Sequence, residues 1–493
     1  MKITKIRLCA VLLFFPFGAG CVAVGPDYRS PVINTPPAWN SKASTAAPNL
    51  ADWWKNLGDP ILDQLITDGI ESSPDVATAK AKVREARAGY ALAGSVRYPG
   101  IDGTGSFMRA GGHSNDAASA SSFRLNPAWD IDLFGANRRG IEAAYYAKES
   151  ANERLRAALV SLIGDIATNY VQLRGVQAQI AIAERNAASQ RRTVALTRTQ
   201  LDAGNISQVD LLSAQTQADT TEAEIPALRI NYATYLNKLS TLTGRSSLAL
   251  TTILDKPRPL PSVPRRIAAG LPANLLLSRP DIRAAERDYA AATARIGQSQ
   301  AALYPKFSLG GDINTGGANF GDLGRLSTIG WSFGPSLSLP VFQGGKLLAD
   351  TDIKRAQRDQ AFIDYRSKIL VGLSDVENAS VAFNQNRLRI AQLQKIVSNS
   401  AKINALTLDQ FKAGSKNFLD VLNAQRSLLD QENALAQARV NIIDNYVALQ
   451  KALGGGWNGR IDVARPEVVD GYTGPHLVKP LMATAPDQFT RPQ

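Results

Sequence analysis

The sequence predicts a mainly α-helical protein with a small transmembrane β part, in which one unit of strand, strand and long helical hairpin occurs twice. Three observations lead there. A helix–turn–helix tip reads Leu201-Asp-Ala-Gly204-Asn-Ile-Ser-Gln-Val-Asp210-Leu-Leu-Ser-Ala-Gln215, then again Phe411-Lys-Ala-Gly414-Ser-Lys-Asn-Phe-Leu-Asp420-Val-Leu-Asn-Ala-Gln425, with matched positions 210 residues apart. Ahead of each tip runs a long stretch of helical period, and the first, from about 138 to 203, holds no proline. Ahead of each long helix, two short segments alternate apolar and polar residues, the period-two mark of a strand with one face of each kind.

The 493 residues could hold several globular domains, but the repeat argues for two copies of one elongated unit. The net charge is +12, and removing Lys2, Lys5 and Arg7 with the leader leaves about +9. Lys and Arg alternate with Asp and Glu along helices and never form a run of five, so they read as solvated faces rather than a nucleic-acid surface. Cys9 and Cys21 give no disulfide framework. His113 and His476 are distant and loop-borne, so no metal site, cofactor or catalytic cluster is expected. Gly103-Thr-Gly105 lies inside a strand pattern and opens no helix, which makes it weak as a nucleotide fingerprint. The chain does not read as an enzyme.

Residues 1–20 form a secretory signal, with a basic start and an apolar run from Leu8 to Phe17 too short to span a bilayer. Gly18-Ala19-Gly20 before Cys21 resembles a bacterial lipobox, in which the cysteine is acylated, although Gly18 stands where leucine is usual. The other reading is an ordinary cleavage site followed by a stray cysteine. Residues 21–60 are proline-rich and extended, from Gly25-Pro-Asp-Tyr28 to Trp53-Trp54 and Asp59-Pro60, and read as a surface strap held by its aromatics.

The first repeat, 61–270, opens with helices over about 61–71 and 75–97. Strands follow at about 99–112 and 121–134, joined by a polar loop from Gly111 to Ser119. Ile101, Phe107, Phe123, Leu125, Trp129 and Ile131 fall on odd positions, and Asp102, Thr104, Ser106, Arg124, Asn126 and Asp130 on even ones. The helical hairpin spans 138–244. In its first arm Leu155, Leu159, Leu162, Ile166, Asn169, Leu173, Val176 and Ile180 step alternately by four and three, a heptad seam for side-by-side packing. Gly204 ends that arm, because glycine reaches the left-handed conformation at low cost. The return arm runs from near Ser207 to Gly244, with a kink expected at Pro226.

A basic, proline-rich linker from Lys256 to Pro264 leads to the second repeat, 271–457. Pro280-Asp-Ile matches Pro74-Asp-Val, and Tyr304-Pro305 matches Tyr98-Pro99, both offset by 206. Strands are expected at about 304–316 and 328–342, and the hairpin at 346–454. Residues 458–493 form a tail without period, wrapped on the surface or disordered.

Strands of this length with one apolar face suit a transmembrane barrel, but four cannot close one, since about eight is the practical minimum. Open edges are not tolerated in lipid, so copies must pool their strands. Two copies would make a barrel of about eight that side chains fill, and three a barrel of about twelve that leaves a channel. A conduit favours three. A soluble β-sandwich capped by coiled coil would instead need strand faces that pack on each other.

The ordered features from residue 21 to about 457 resemble the outer-membrane factor family, of which TolC is the best-known member. The lipobox-like Cys21, Gly25-Pro-Asp-Tyr28 and Trp53-Trp54…Asp59-Pro60 are similar to its NodT/OprM-type lipoprotein branch. The resemblance implies a homotrimer with a 12-stranded outer-membrane β-barrel joined to a periplasmic α-helical barrel. It implies the outer-membrane channel of a tripartite efflux pump that exports small molecules such as drugs, anchored in outer-membrane lipid by an acylated Cys21. Its partners would be a periplasmic adaptor and an inner-membrane RND transporter. The tips around Gly204, Asp210, Gly414 and Ser415 would dock the adaptor, and the second tip would carry the periplasmic gate. Asp420 falls on the position whose carboxylates ring the closed pore. Phe411 stands where a tyrosine is often found, Lys416 where an arginine is, and Asn423 where a second aspartate occurs. Phe411 has no hydroxyl, and Lys416 is a point donor rather than a fork, so the family's gating bonds do not carry over intact.

Asp210 and Asp420 could also simply cap return helices, where carboxylates suit the dipole. Capping is favoured for Asp210, and both roles stay open for Asp420. Within the family, the channel of a type I protein secretion system is the alternative. Outside it, a structural coiled-coil surface lipoprotein would leave the duplicated strand pairs unexplained. The sequence does not name the exported substrate.

Overall fold

The computed structural model describes residues 23–34, 36–39, 50–113, 115–264, 279–457, 461–464 and 467. The signal peptide, Cys21, the 270/271 boundary and the tail beyond 467 lie outside the described residues. In chain order the elements are a 3₁₀ turn (Trp53–Leu57), α1 (Pro60–Ser72), α2 (Pro74–Ser95), β1 (Gly100–Gly112), β2 (Asn115–Ile131), α3 (Ala136–Asp202), α4 (Gln208–Thr243) and α5 (Ser247–Leu254). The second unit follows as α6 (Pro280–Ala301), β3 (Lys306–Gly317), β4 (Ile329–Ser338), α7 (Lys346–Lys412) and α8 (Phe418–Ala452). Helices α3 and α7 each run 67 residues, about 100 Å at ~1.5 Å per residue. No described helix is long and apolar enough to cross a membrane.

The four strands form one antiparallel sheet in the order β1-β2-β3-β4. Its register keeps the two kinds of side chain apart. Gly103, Leu125, Ile313 and Trp331 stand in one row, and Arg124, Asn314 and Gly330 in the next. The apolar face is uncovered: Ile101, Phe107, Trp331, Phe333 and Leu337 are all exposed. The outer edges of β1 and β4 pair with nothing among the described residues.

Three strand boundaries differ from the sequence expectation, one of them the end of β2 at Ile131 rather than 134. The expected loop from Gly111 to Ser119 is largely strand, since Ala110 pairs with Ala118 and Gly112 with Asn115 across a local register shift. Backbone ladders need no apolar alternation, and the small residues there carry no period to reveal them. Strand β4 ends at Ser338 rather than 342, although the alternation continues beyond it.

The core lies where the short helices meet the long ones. Leu62, Leu65 and Ile66 of α1 pack with Leu159, Ile163, Ile166 and Tyr170 of α3 and with Val440, Ile443 and Tyr446 of α8. The heptad seam supplies this face: Leu155, Leu159, Leu162, Ile166, Leu173 and Val176 are buried, and Asn169 and Ile180 half-buried. Trp53 is one of the aromatics at the end of the N-terminal segment. It sits 1% exposed in this core, because an indole removes a large apolar area from water. Helix α4 continues unbroken past Pro226.

Helix α5 was not legible in the sequence. It buries Leu250 and Leu254, and the wholly buried Arg174 of α3 donates to the Leu254 and Lys256 carbonyls and to Gln177 and Tyr170. Further up, Arg139 at the start of α3 donates to the carbonyls of Val24 and Gly25 and to Asp27. The amide of Val24 bonds Phe134 O at 3.0 Å, which fixes the N-terminal segment at the junction of sheet and helices.

Candidate functional site: the paired hairpin tips

The turns between α3 and α4 and between α7 and α8 are built alike. Gly204 and Gly414 have φ of 74° and 75°. Gly204 N–H donates to Leu201 O and Asn205 N–H to Gln200 O; Gly414 N–H donates to Phe411 O and Ser415 N–H to Gln410 O. This is the paired closure that a left-handed glycine gives a helix C-terminus.

The two return helices start differently. Ser207 and Asp210 form a reciprocal capping box, with Asp210 N–H on Ser207 Oγ at 3.3 Å and Ser207 N–H on Asp210 Oδ2 at 3.0 Å. At the second tip Asn417 Oδ1 takes Asp420 N–H at 3.0 Å, and the Asp420 carboxylate turns to Lys416, 3.5 Å away. Both partners of that pair are well exposed, so it contributes roughly 0–1 kcal/mol.

Phe411 does not stand free at the tip. It is buried at 3% exposure and meets Phe418 edge-on with ring centroids 6.0 Å apart. These rings share an apolar cluster with Val421 and Leu422 of their own hairpin and Ala214 of the other. Gln425 Nε2 donates to Thr193 Oγ1 at 2.9 Å, and Arg426 Nε to Gln217 Oε1 at 2.5 Å, so polar bonds also tie the hairpins together. Gly204, Ser415, Lys416 and Asn423 are exposed, and Asp210 and Asp420 half-exposed. The structure thus brings Lys416 and Asp420 together, places Phe411 beneath them as packing, and leaves Asn423 without a side-chain bond to either.

Behind the tips, α3 and α8 are held by polar pairs. Arg185 reaches Glu432 at 3.1 Å, and Lys451 reaches Asp165 at 3.0 Å. Gln172 Nε2 donates to Asp444 at 2.6 Å. Burial pushes the Asp444 carboxyl up to about 6, against the bond from Gln172 that favours its charged form. Neither Asp444 nor Arg139 was singled out by sequence reasoning, since each is one charged residue in a helix full of them.

The arrangement is a pair of long rods joined at closed tips, bearing at the other end a sheet with an apolar face and two open edges. Known proteins share it. The outer membrane efflux protein family profile matches residues 65–245 and 271–455. Nodulation protein T of Rhizobium leguminosarum bv. trifolii is 32% identical over 449 residues, covering 89% of this chain and 95% of that protein. The solvent efflux pump outer membrane protein SrpC of Pseudomonas putida is 29% identical over 93% of this chain and 99% of its own. The solved outer-membrane channel OprN superposes with a TM-score of 0.80 at 32% identity, covering 88% of this chain and 99% of that one. With both repeats matched along nearly their whole length, the chain belongs to the outer membrane efflux protein family.

Proposed function

We propose that this protein is the outer-membrane channel of a tripartite efflux pump, working as a homotrimer that hands small molecules from the periplasmic side to the exterior. The sheet carries the reading: among the described residues it has four strands, one face apolar and uncovered, and both edges unpaired. Lipid does not tolerate such edges, and three copies would pool about twelve strands around a channel. The polar row of Asp102, Asn126, Arg124 and Asn314 would then line the lumen. The long hairpins continue the conduit into the periplasm, where their tips dock a periplasmic adaptor that couples to an inner-membrane transporter of the RND type. The substrate class stays broad, with SrpC named for solvents.

The second tip serves as the gate. Three Asp420 carboxylates gather near the axis, each facing Lys416, while Phe411 sets the packing of the tip and Asn423 lies one turn further along α8. Cys21 carries the lipid. Val24 is fixed beside Phe134 at the base of the sheet, and three residues reach at most about 11 Å, which keeps an acyl chain on Cys21 at the membrane surface. The reading is tested with detergent-purified protein: a heat-modifiable trimer band and ion conductance in planar bilayers are expected. A monodisperse monomer without conductance would overturn it.

A further inference from the structure

The loop between β3 and β4 does not stand free above the sheet. It doubles back onto the apolar face, toward the end remote from the helices. Gly317 closes β3 and lies in one row with Ser121 of β2 and Phe107 of β1. The chain then crosses that row, and Phe320 stacks on Phe107 with ring centroids 5.3 Å apart. Beneath the crossing Ser121 is 3% exposed, and its hydroxyl reaches the carbonyls of Gly317 and Asn319 at 3.0 and 2.9 Å. Asp322 Oδ2 accepts the Asn319 N–H at 3.1 Å, and Thr315 Oγ1 accepts the Gly324 N–H at 2.9 Å. A Cβ on Gly317 would lie 2.4 Å from Asp322 Cβ, so the fold-back needs a glycine there.

Phe107, Ser121 and Thr315 share the odd parity of the apolar face, so this polar backbone sits on its outward side. Lipid does not accept such groups, and the row therefore marks where the apolar band ends. Below it, the outward positions of β2 are Phe123, Leu125, Pro127, Trp129 and Ile131. From Ile131 to Phe123 is about 27 Å of strand, roughly 20 Å once tilted, close to the band of about 25 Å that a transmembrane barrel shows to lipid.

Cations stand at this border. Arg109 lies two residues beyond Phe107 with the same parity and is exposed. Among the described residues no hydrogen bond or ion pair holds it. Arg325 of the loop is exposed as well, and one of its nitrogens meets Asp322 at 3.1 Å. That contact leaves the other guanidinium donors to solvent. Phe320 and Leu326 are 66% and 92% exposed.

We propose that Arg109, Arg325, Phe107, Phe320 and Leu326 form a docking surface for an outer-leaflet lipid with a phosphate head group. The guanidinium forks match phosphate oxygens, while the stacked rings and Leu326 take the upper part of the acyl chains. A free phosphate would use the arginines alone and leave the apolar groups wet. The surface rests on the channel reading, which puts this end of the sheet at the outer surface of the membrane.

The test uses full-length trimer in detergent, mixed with bisphosphorylated lipid A, with the same lipid stripped of its phosphates, or with inorganic phosphate. Retained lipid is counted by native mass spectrometry. Bisphosphorylated lipid A should stay bound and raise the temperature at which the trimer band is lost, and the other two should do neither. Arg109→Gln with Arg325→Gln should cut retention about tenfold, whereas Lys306→Gln, at the helical end of the sheet, should leave it unchanged. Equal retention by the double variant, or of the stripped lipid, overturns the docking surface and leaves a conducting trimer, and so the channel reading, intact. Release of the lipid by inorganic phosphate would assign the arginines to free phosphate and likewise overturn it. A protein with no trimer at all overturns both.

Discussion

Asp210 and Asp420 occupy matched positions, yet their carboxylates meet different partners. Asp210 spends both its amide and its carboxylate on Ser207. Replacing Asp210 with Ala should therefore destabilise its tip by about 1 kcal/mol and leave conductance unchanged. Asp420 keeps only its amide in the cap and holds its carboxylate toward Lys416. Three such carboxylates about 6 Å apart, at an effective dielectric near 20, would repel by roughly 3 kcal/mol per pair before salt screening. An exposed lysine pair of roughly 0–1 kcal/mol does not offset that, so helix packing must, and an adaptor has little to overcome. Asp420→Ala should change single-channel conductance and raise susceptibility to large antibiotics, and unchanged values in both would remove the gate role. The repeat made Asp420 legible in the sequence; the burial of Phe411 beneath it was not, since Phe418, Val421 and Leu422 of its own hairpin and Ala214 of the other together form that pocket.

Asp444 carries the pH prediction at the same scale. Its carboxyl is raised to about 6 by burial, while an unfolded aspartate titrates near ~3.9. The folded form therefore holds the proton more tightly. Its contribution to stability is full below about pH 4 and is lost as pH rises through about 6. Asp444→Asn should flatten that loss, raising stability at pH 7.5 by on the order of 1–2 kcal/mol with no gain at pH 4, as read from thermal unfolding at the two pH values.

Among the elements, the two long helices were the most legible, the first because its heptad seam runs over many turns and the second because it repeats the first at a fixed offset; their observed ends lie within about two residues of those expected. Short elements were not. Helix α5 and the 3₁₀ turn at Trp53 are too brief for periodicity and exist because the core receives Leu250, Leu254 and Trp53. A close approach of α3 to α8 was also invisible. A Cβ on Gly175 of α3 would lie 2.4 Å from Val440 Cγ2 of α8, so the helices pack this closely at that point because glycine stands there. Gly175→Ala should destabilise the fold by about 1–3 kcal/mol through overpacking. Val440→Ala in the same chain should recover much of that in denaturant unfolding, and simple additivity of the two losses would contradict the packing argument.

At the level of the whole molecule, the sheet divides the protein's surroundings. Trp331 and Phe333 lie on the apolar face and are exposed, while Ser332 between them faces the other way, opposite Asp312. A soluble chain would have no reason to leave such a face bare, whereas in a barrel it meets lipid and the opposite row meets water. Parity alone then decides the cost of a charge. An arginine on the lipid-facing row costs about 2–4 kcal/mol at the bilayer midplane and less toward the interfaces, so at position 331, two residues into β4, it would carry part of that cost, and the same arginine at position 332 would cost little and alter ion selectivity instead. Trp331→Arg should reduce the amount of heat-modifiable trimer recovered from outer membranes. Ser332→Arg should assemble normally and shift the reversal potential toward anions. Equal assembly of the two variants, or a selectivity change only in Trp331→Arg, would mean that the sheet faces its surroundings the other way round.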